Sequence, residues 1–165
     1  MTKGWLGGNW YPILLLVGLA LMVNVKFLGR FGVPVTLIAT PLVSQSLITE
    51  ATAVSVTLSG LVVAIIARRR LAANWSAGVA LKKTHELVTS GVYRYVRHPI
   101  YSGMLLMVLG TSLSVGTLGA VVAFIVMVLA MCLKLRDEEA LLQKHFAGEY
   151  AEYKKRSRML IPFIW

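Results

Sequence analysis

The sequence predicts an all-α integral membrane protein of about five transmembrane helices, the last two forming a short helical hairpin, with its polar segments gathered on the cytoplasmic face. Three observations carry that expectation. Hydrophobic residues make up 57% of the 165 positions and charged residues only 15%, and the mean hydropathy is +0.72, too apolar for a water-soluble domain of this size. Apolar runs close to the ~20 residues of a spanning helix recur along the chain. Lys and Arg outnumber Asp and Glu by 17 to 7, a formal charge of +10, and nearly all of them fall on one side of those runs.

The first run covers residues 11 to about 28, with Trp5 and Trp10 before it as interfacial anchors. Its start lacks a basic n-region and a small-residue cleavage site, so it does not read as a cleavable signal. The second, residues 33–48, is short and holds Pro34, Pro41, Ser44, Gln45 and Ser46; the third, residues 51–67, stops at Arg68, Arg69 and Arg70. Runs at 101–115 and 117–135 are separated only by "GTLG", so short a connection that they form an antiparallel pair. Five spans with the N-terminus outside place sixteen of the 17 Lys and Arg on the cytoplasmic face and leave only Lys3 opposite. The basic balance therefore follows the positive-inside rule and implies no nucleic acid. A second run that failed to cross would put Lys26 and Arg30 on the other side from Arg68–Arg70.

No linker or repeat divides the chain, so it is expected to be a single membrane domain over 1–165: three spans to residue 70, a cytoplasmic segment over 71–100, the hairpin over 101–135 and a cytoplasmic tail over 136–165. The one cysteine, Cys132, lies in an apolar run; there is no disulfide framework and no expected metal site.

Chemically expressive residues concentrate in the two cytoplasmic segments. In the tail, Leu141, Leu142, His145, Phe146, Tyr150 and Tyr153 recur at three- and four-residue steps, which predicts an amphipathic helix continuing from the last span. Glu138 and Glu139 then sit about one turn beyond the membrane edge. Two readings are open for them: a solvated turn pairing with nearby cations, or a carboxylate holding a cationic ligand at the membrane surface. Ahead of the hairpin, "TSG" at Thr89, Ser90 and Gly91 supplies a turn. His98 and Pro99 end one element and start the next, because Pro suits a helix's first turn and disfavours helix in the residue before it. His98 stands at a helix N-terminus, where free N–H groups favour anions. Arg94 and Arg97 with Tyr93, Tyr95 and Tyr101 read equally as an interfacial belt on anionic headgroups.

The run "HELVTSGVYRYVRHPIYSG" from His85 to Gly103, the hairpin after it, "EEALL" and "FAGEYAEYKKRSRMLIPFI" closely resemble the isoprenylcysteine carboxyl methyltransferase family and its wider kin of membrane methyltransferases. The resemblance covers about the C-terminal half, with "NWS" at Asn74–Ser76; the N-terminal spans match only as apolar helices. It implies an S-adenosylmethionine site built from the two cytoplasmic segments. His85, Glu86, Leu87 and Val88 correspond to a strip whose backbone lines the cofactor, and Tyr93 to an aromatic wall. His98, Pro99, Ile100 and Tyr101 correspond to the next strip, and Glu138 to the glutamate on the cofactor's polar groups. The family also carries an arginine one turn before that glutamate, facing the methyl acceptor; here Lys134 holds the place, with Arg136 two residues on, so the acceptor-side cation is one of these two.

The chemistry of the residues agrees with such a ligand. A sulfonium amino acid wants a carboxylate for its ammonium, donors at a helix start for its carboxylate, and aromatic or apolar walls for its adenine. Methyl transfer depends on positioning and dehydration, so no nucleophilic residue is required. His98 or Glu139 is available as a base if the acceptor is an amine. The acceptor expected from the resemblance is the carboxylate of an isoprenylcysteine, arriving from the bilayer; a phospholipid amine or a small thiol is the alternative. Two other classes are a reductase of the membrane sterol type, which shares an Arg-His-Pro-Tyr element and uses NADPH, and a non-enzymatic scaffold. "LIPFIW" at the C-terminus suggests a tail folded back on the membrane surface over the cofactor.

Overall fold

A computed structural model of the chain describes Gly18, Gly32 and residues 35–71 and 87–162. Its helices are α1 (Val35–Ile38), α2 (Leu47–Leu71), α3 (Pro99–Val115) and α4 (Leu118–Arg156), with a 3₁₀ turn at Gly91–Arg94 between α2 and α3. Among the described residues, β structure is limited to two isolated bridges, Pro41 with Thr117 and Val96 with Arg158. The all-helical expectation therefore holds for this part of the chain. Apart from Gly18, the expected first span lies outside the described residues, as do Trp5, Trp10, the "NWS" stretch, and Phe163 and Trp165.

Helices α2 and α4, of 25 and 39 residues, are long and apolar enough to cross a bilayer. Helix α3 has 17 residues, about 25 Å of rise, at the lower limit for a span. The exposed side chains of α2 include Leu47, Ile48, Val54, Leu58, Leu61, Val62, Ile65 and Ile66, an apolar surface suited to lipid rather than water.

The second expected span is corrected by the structure. Residues 33–48 do not make one helix: α1 is a single turn, and the chain then runs without helical bonds to Ser46. The backbone of this stretch is tied to the turn joining α3 and α4. Leu118 N donates to Thr40 O at 2.9 Å, and Leu42 N and Val43 N both donate to Gly116 O. Non-helical backbone of this kind does not cross lipid, where its polar groups would go unpaired. Pro41 fits the interruption, since it has no N–H to give. The argument from charge that required this run to cross thereby loses Lys26 and Arg30; the fourteen cations from Arg68 onward would share a side if α2, α3 and α4 each cross once.

The chain forms two compact units, Met1–Leu58 with Met107–Lys134, and Ser59–Leu106 with Leu135–Trp165. In the first, Ser46 caps α2: its Oγ accepts from Thr49 N at 3.2 Å and its carbonyl from Glu50 N at 2.9 Å. Ser114 Oγ donates to Glu50 Oε2 at 2.9 Å. Gly116 has φ of +64°, the left-handed conformation that ends α3 and which glycine adopts without steric cost. A shallow groove here is lined by Ala53, Thr57, Leu58, Gly110, Thr111 and Ser114.

In the second unit, α3 lies so close to α2 that a Cβ on Gly103 would stand 2.5 Å from Gly60 O and 2.9 Å from Ala64 Cβ. Small residues are what allow this approach. Arg68, Arg69 and Arg70 occupy the last turn of α2, where cations complement the helix dipole. Arg70 donates from its Nη2 to Ser90 Oγ at 2.9 Å, across the expected turn.

Candidate functional site

The second unit assembles the segment before α3, the part of α4 from Leu135 onward and the C-terminal strap around one buried seam. His98 is its hinge. Its carbonyl accepts from Ser102 N at 3.1 Å, so His98 caps α3. Pro99 takes the first helical position, where a missing N–H costs nothing. The imidazole is buried, stands edge-on to the Tyr101 ring at 6.0 Å, and lies between the two glutamates. Nδ1 is 3.9 Å from Glu138 Oε1 and Nε2 is 3.5 Å from Glu139 Oε1; the buried Nε2 makes no hydrogen bond.

The two glutamates have different surroundings. Glu139 is nearly enclosed: Arg97 donates from Nε to its Oε1 at 2.6 Å, and Lys154 Nζ is 3.0 Å from its Oε2. Burial works to raise its carboxyl, but His98, Arg97 and Lys154 prevail and hold it well below the usual carboxylate range. Glu138 keeps 30% of its side chain exposed and accepts a hydrogen bond on Oε2 from the Tyr101 hydroxyl at 3.2 Å. One carboxylate is thus an internal counter-ion, and its neighbour is presented at the surface of the seam.

The tail closes the seam from the other side. Tyr153 OH donates to Tyr93 O at 2.6 Å, and Tyr93 OH donates to Ala67 O at 3.4 Å. Burial pushes the Tyr93 phenol up, and neighbouring Tyr153 and Glu138 add to the effect against the opposing Arg68. Past Arg156 the strap runs parallel to the segment before α3. Arg158 N donates to Tyr95 O, Arg97 N to Arg158 O and His98 N to Met159 O, at 2.8–3.1 Å; Ser102 Oγ donates to Leu160 O at 2.5 Å. Arg97 reaches the same strap with Nη1 on Ser157 O at 2.7 Å.

Tyr93, His98, Tyr101 and Glu138 therefore come together in one unit. Pro99 is buried and Ile100 half-buried beside them, and Leu87 and Val88 are half-buried. Tyr93 is enclosed rather than presented as an open wall. His85 and Glu86 lie outside the described residues. Lys134, in the first unit, is half-buried, and Arg136 is exposed; on a helix the residue four before Glu138 shares its face, whereas the one two before it points away. His145 is exposed, its ring against Phe146. Sequence reasoning missed Ser102, Lys154 and Ser157. Ser157 carries a usable signal, since it extends the Tyr150–Tyr153 spacing by one more turn, but nothing local distinguishes Lys154 from Lys155.

The phospholipid methyltransferase family model matches residues 48–149 of this chain. The chain is 37% identical over 83 residues to protein-S-isoprenylcysteine O-methyltransferase of Schizosaccharomyces pombe, covering 50% of this chain and 35% of the relative. It is 38% identical over 81 residues to the probable protein-S-isoprenylcysteine O-methyltransferase of Oryza sativa subsp. indica, covering 48% and 42%, and 40% identical over 82 residues to the human enzyme of that name, covering 49% and 29%. These matches thus span between 29% and 42% of the curated relatives' length. Its fold resembles that of a eukaryotic intramembrane Ras methyltransferase, isoprenylcysteine carboxyl methyltransferase, with a TM-score of 0.70 at 23% identity, over 95% of this chain and 55% of that one.

Proposed function

The chain belongs to the phospholipid methyltransferase family, and on that premise we propose that it is an S-adenosylmethionine-dependent membrane methyltransferase whose acceptor is lipid-like, first of all the carboxylate of an isoprenylcysteine-type substrate. The observation that carries this reading is the division of labour between adjacent glutamates. Glu139 is committed to Arg97 and Lys154, while Glu138 stands part-open beside His98 and Tyr101.

The residues present fit the cofactor. Glu138 is a carboxylate for the ammonium group, and the first N–H groups of α3 suit a carboxylate. The ring of Tyr101, with Ile100, supplies apolar and aromatic surface, while Tyr93 and Pro99 are buried beside them. The strip His85, Glu86, Leu87 and Val88 would complete the cofactor wall. When bound, S-adenosylmethionine supplies a methyl group made electrophilic by its sulfonium sulfur. What the protein adds is orientation and exclusion of water.

A carboxylate acceptor is already ionised near neutral pH and needs a cation to hold it, not a base. Lys134, one helical turn before Glu138, is the first choice for that cation, and Arg136 the second. Glu139 is unsuited to be a base, because Arg97 and Lys154 each hold one of its oxygens. The acceptor reaches the site laterally from the bilayer, and the protein sits with its C-terminus in the cytosol, in the inner membrane if the source is bacterial. The family model's own description favours a phospholipid amine as a second acceptor class.

The test is calorimetric titration of the detergent-purified protein with S-adenosylhomocysteine, beside NADPH and a Glu138→Gln variant. Loss of one charge-assisted contact is expected to weaken S-adenosylhomocysteine roughly tenfold to a hundredfold. Binding of NADPH instead would overturn the reading, as would an unchanged affinity in the variant. Methyl transfer to farnesylcysteine against phosphatidylethanolamine then separates the two acceptor classes.

A further inference from the structure

The segment before α3 divides its Arg and Tyr residues between inside and outside. Tyr93 and Arg97 turn into the seam. Arg94 and Tyr95 do not: Arg94 is exposed, Tyr95 is 51% exposed, and the Arg94 guanidinium lies over the Tyr95 ring at 5.9 Å. The strap, paired with this segment, carries two more outward groups. Arg158, whose N–H donates to Tyr95 O at 3.0 Å, is exposed, and Ile161 is 48% exposed, while Leu160 between them is buried as the anchor.

We propose that Arg94, Tyr95, Arg158 and Ile161 form a binding surface for the anionic headgroup of a membrane phospholipid. Chain continuity places it at the interface, because Tyr95 is four residues before the first residue of α3, an apolar helix that begins at Pro99. Two arginines supply the charge complement. Neither residues 87–97 nor 157–162 contain an Asp or Glu to oppose them. The exposed Tyr ring and the aliphatic Ile side chain suit the boundary between headgroup and acyl chains, where an amphipathic ring is at home; a dissolved anion would have no use for them. The strap's backbone is held by three main-chain hydrogen bonds and one from Ser102, so little conformational entropy remains to be lost on binding.

This inference is independent of the methyl-transfer reading and requires only that α3 enters the membrane. Its test is native mass spectrometry of the detergent-purified protein incubated with phosphatidylglycerol or phosphatidylcholine. The wild type is expected to retain phosphatidylglycerol preferentially. A basic residue near an anionic surface contributes about fivefold, so Arg94→Gln/Arg158→Gln is expected to lose about thirtyfold in apparent affinity. Lys144→Gln/Lys155→Gln, which removes the same charge at other exposed positions, should retain the preference, and so should Arg94→Lys/Arg158→Lys. An equal loss in the Lys144/Lys155 variant would overturn the proposal, since net charge alone would then explain binding. Equal retention of both lipids, or displacement of phosphatidylglycerol by excess inorganic phosphate, would overturn it as well. The melting temperature of each variant reports folding separately, and a headgroup preference lost without a lowered melting temperature assigns the effect to the surface.

Discussion

Glu138 and Glu139 are chemically identical and adjacent, yet what faces them separates their roles. Removing the charge of Glu139 leaves Arg97 without its counter-ion in a nearly enclosed place, so Glu139→Gln is expected to cost about 3 kcal/mol of stability. The measurement is thermal unfolding in detergent, with Glu138→Gln as the control that melts close to wild type. The pH dependence has a definite sign. A carboxyl held low by the fold contributes stability that is complete above its unfolded value, about 4.3, and is lost as the pH falls through its lower folded value. The difference in melting temperature between wild type and Glu139→Gln should therefore stay constant from neutral pH to about pH 5 and narrow only in stronger acid. A difference that vanished near pH 7 would assign the stability to another group.

Among the elements, α4 is interrupted. Ala147 has φ of +38°, and Gln143 Nε2 donates to its carbonyl at 2.8 Å. An L-residue other than Gly, Asn or Asp in this region is strained, so Ala147→Gly is expected to stabilise by about 1 kcal/mol, read as a rise in melting temperature. Such a gain at a helical alanine would be unexpected, because glycine there normally destabilises. At Gly103 the constraint is the opposite one. An added Cβ meets the backbone of α2 at Gly60 O and Ala64 N, 2.5 and 2.8 Å away, and backbone cannot step aside as a side chain can. Gly103→Ala is expected to destabilise by about 1–3 kcal/mol, whereas Gly148→Ala, with nothing within 4 Å of its added Cβ, should be neutral or mildly stabilising. Comparing the two melting curves separates close packing from a general effect of glycine replacement.

At the scale of the whole molecule, the order of crossings follows from α2, α3 and α4. If each crosses once, the Arg68–Arg70 end, the segment before α3 and the tail share a face. Reporter fusions after Arg70 and at the C-terminus should report the same, cytoplasmic, side; opposite sides would mean that α3 and α4 do not form two crossings. Much of this was legible in the sequence. Runs of apolar residues, the arginine stop at the end of α2, the Gly116 turn and the continuation of the last span into the tail are local patterns, and a bilayer imposes them locally by length and hydropathy. The second run was misread because its apolar composition outweighed two prolines and a polar cluster, and its hydrogen bonds go to a turn more than seventy residues away. In the candidate site, the residues of the His-Pro segment and the glutamate pair could be picked out from their types and spacing. Their environments could not. Arg97 meets Glu139 across 42 residues and Ser157 across 60, and no periodicity announces such a partner. The sequence by itself determined an apolar helical chain of membrane type with its polar and aromatic chemistry in two segments, because solvent sorts residues by type. Only the tertiary structure decided which glutamate is enclosed, which tyrosine turns inward and which arginine is left exposed, because those outcomes depend on what the fold brings opposite each side chain.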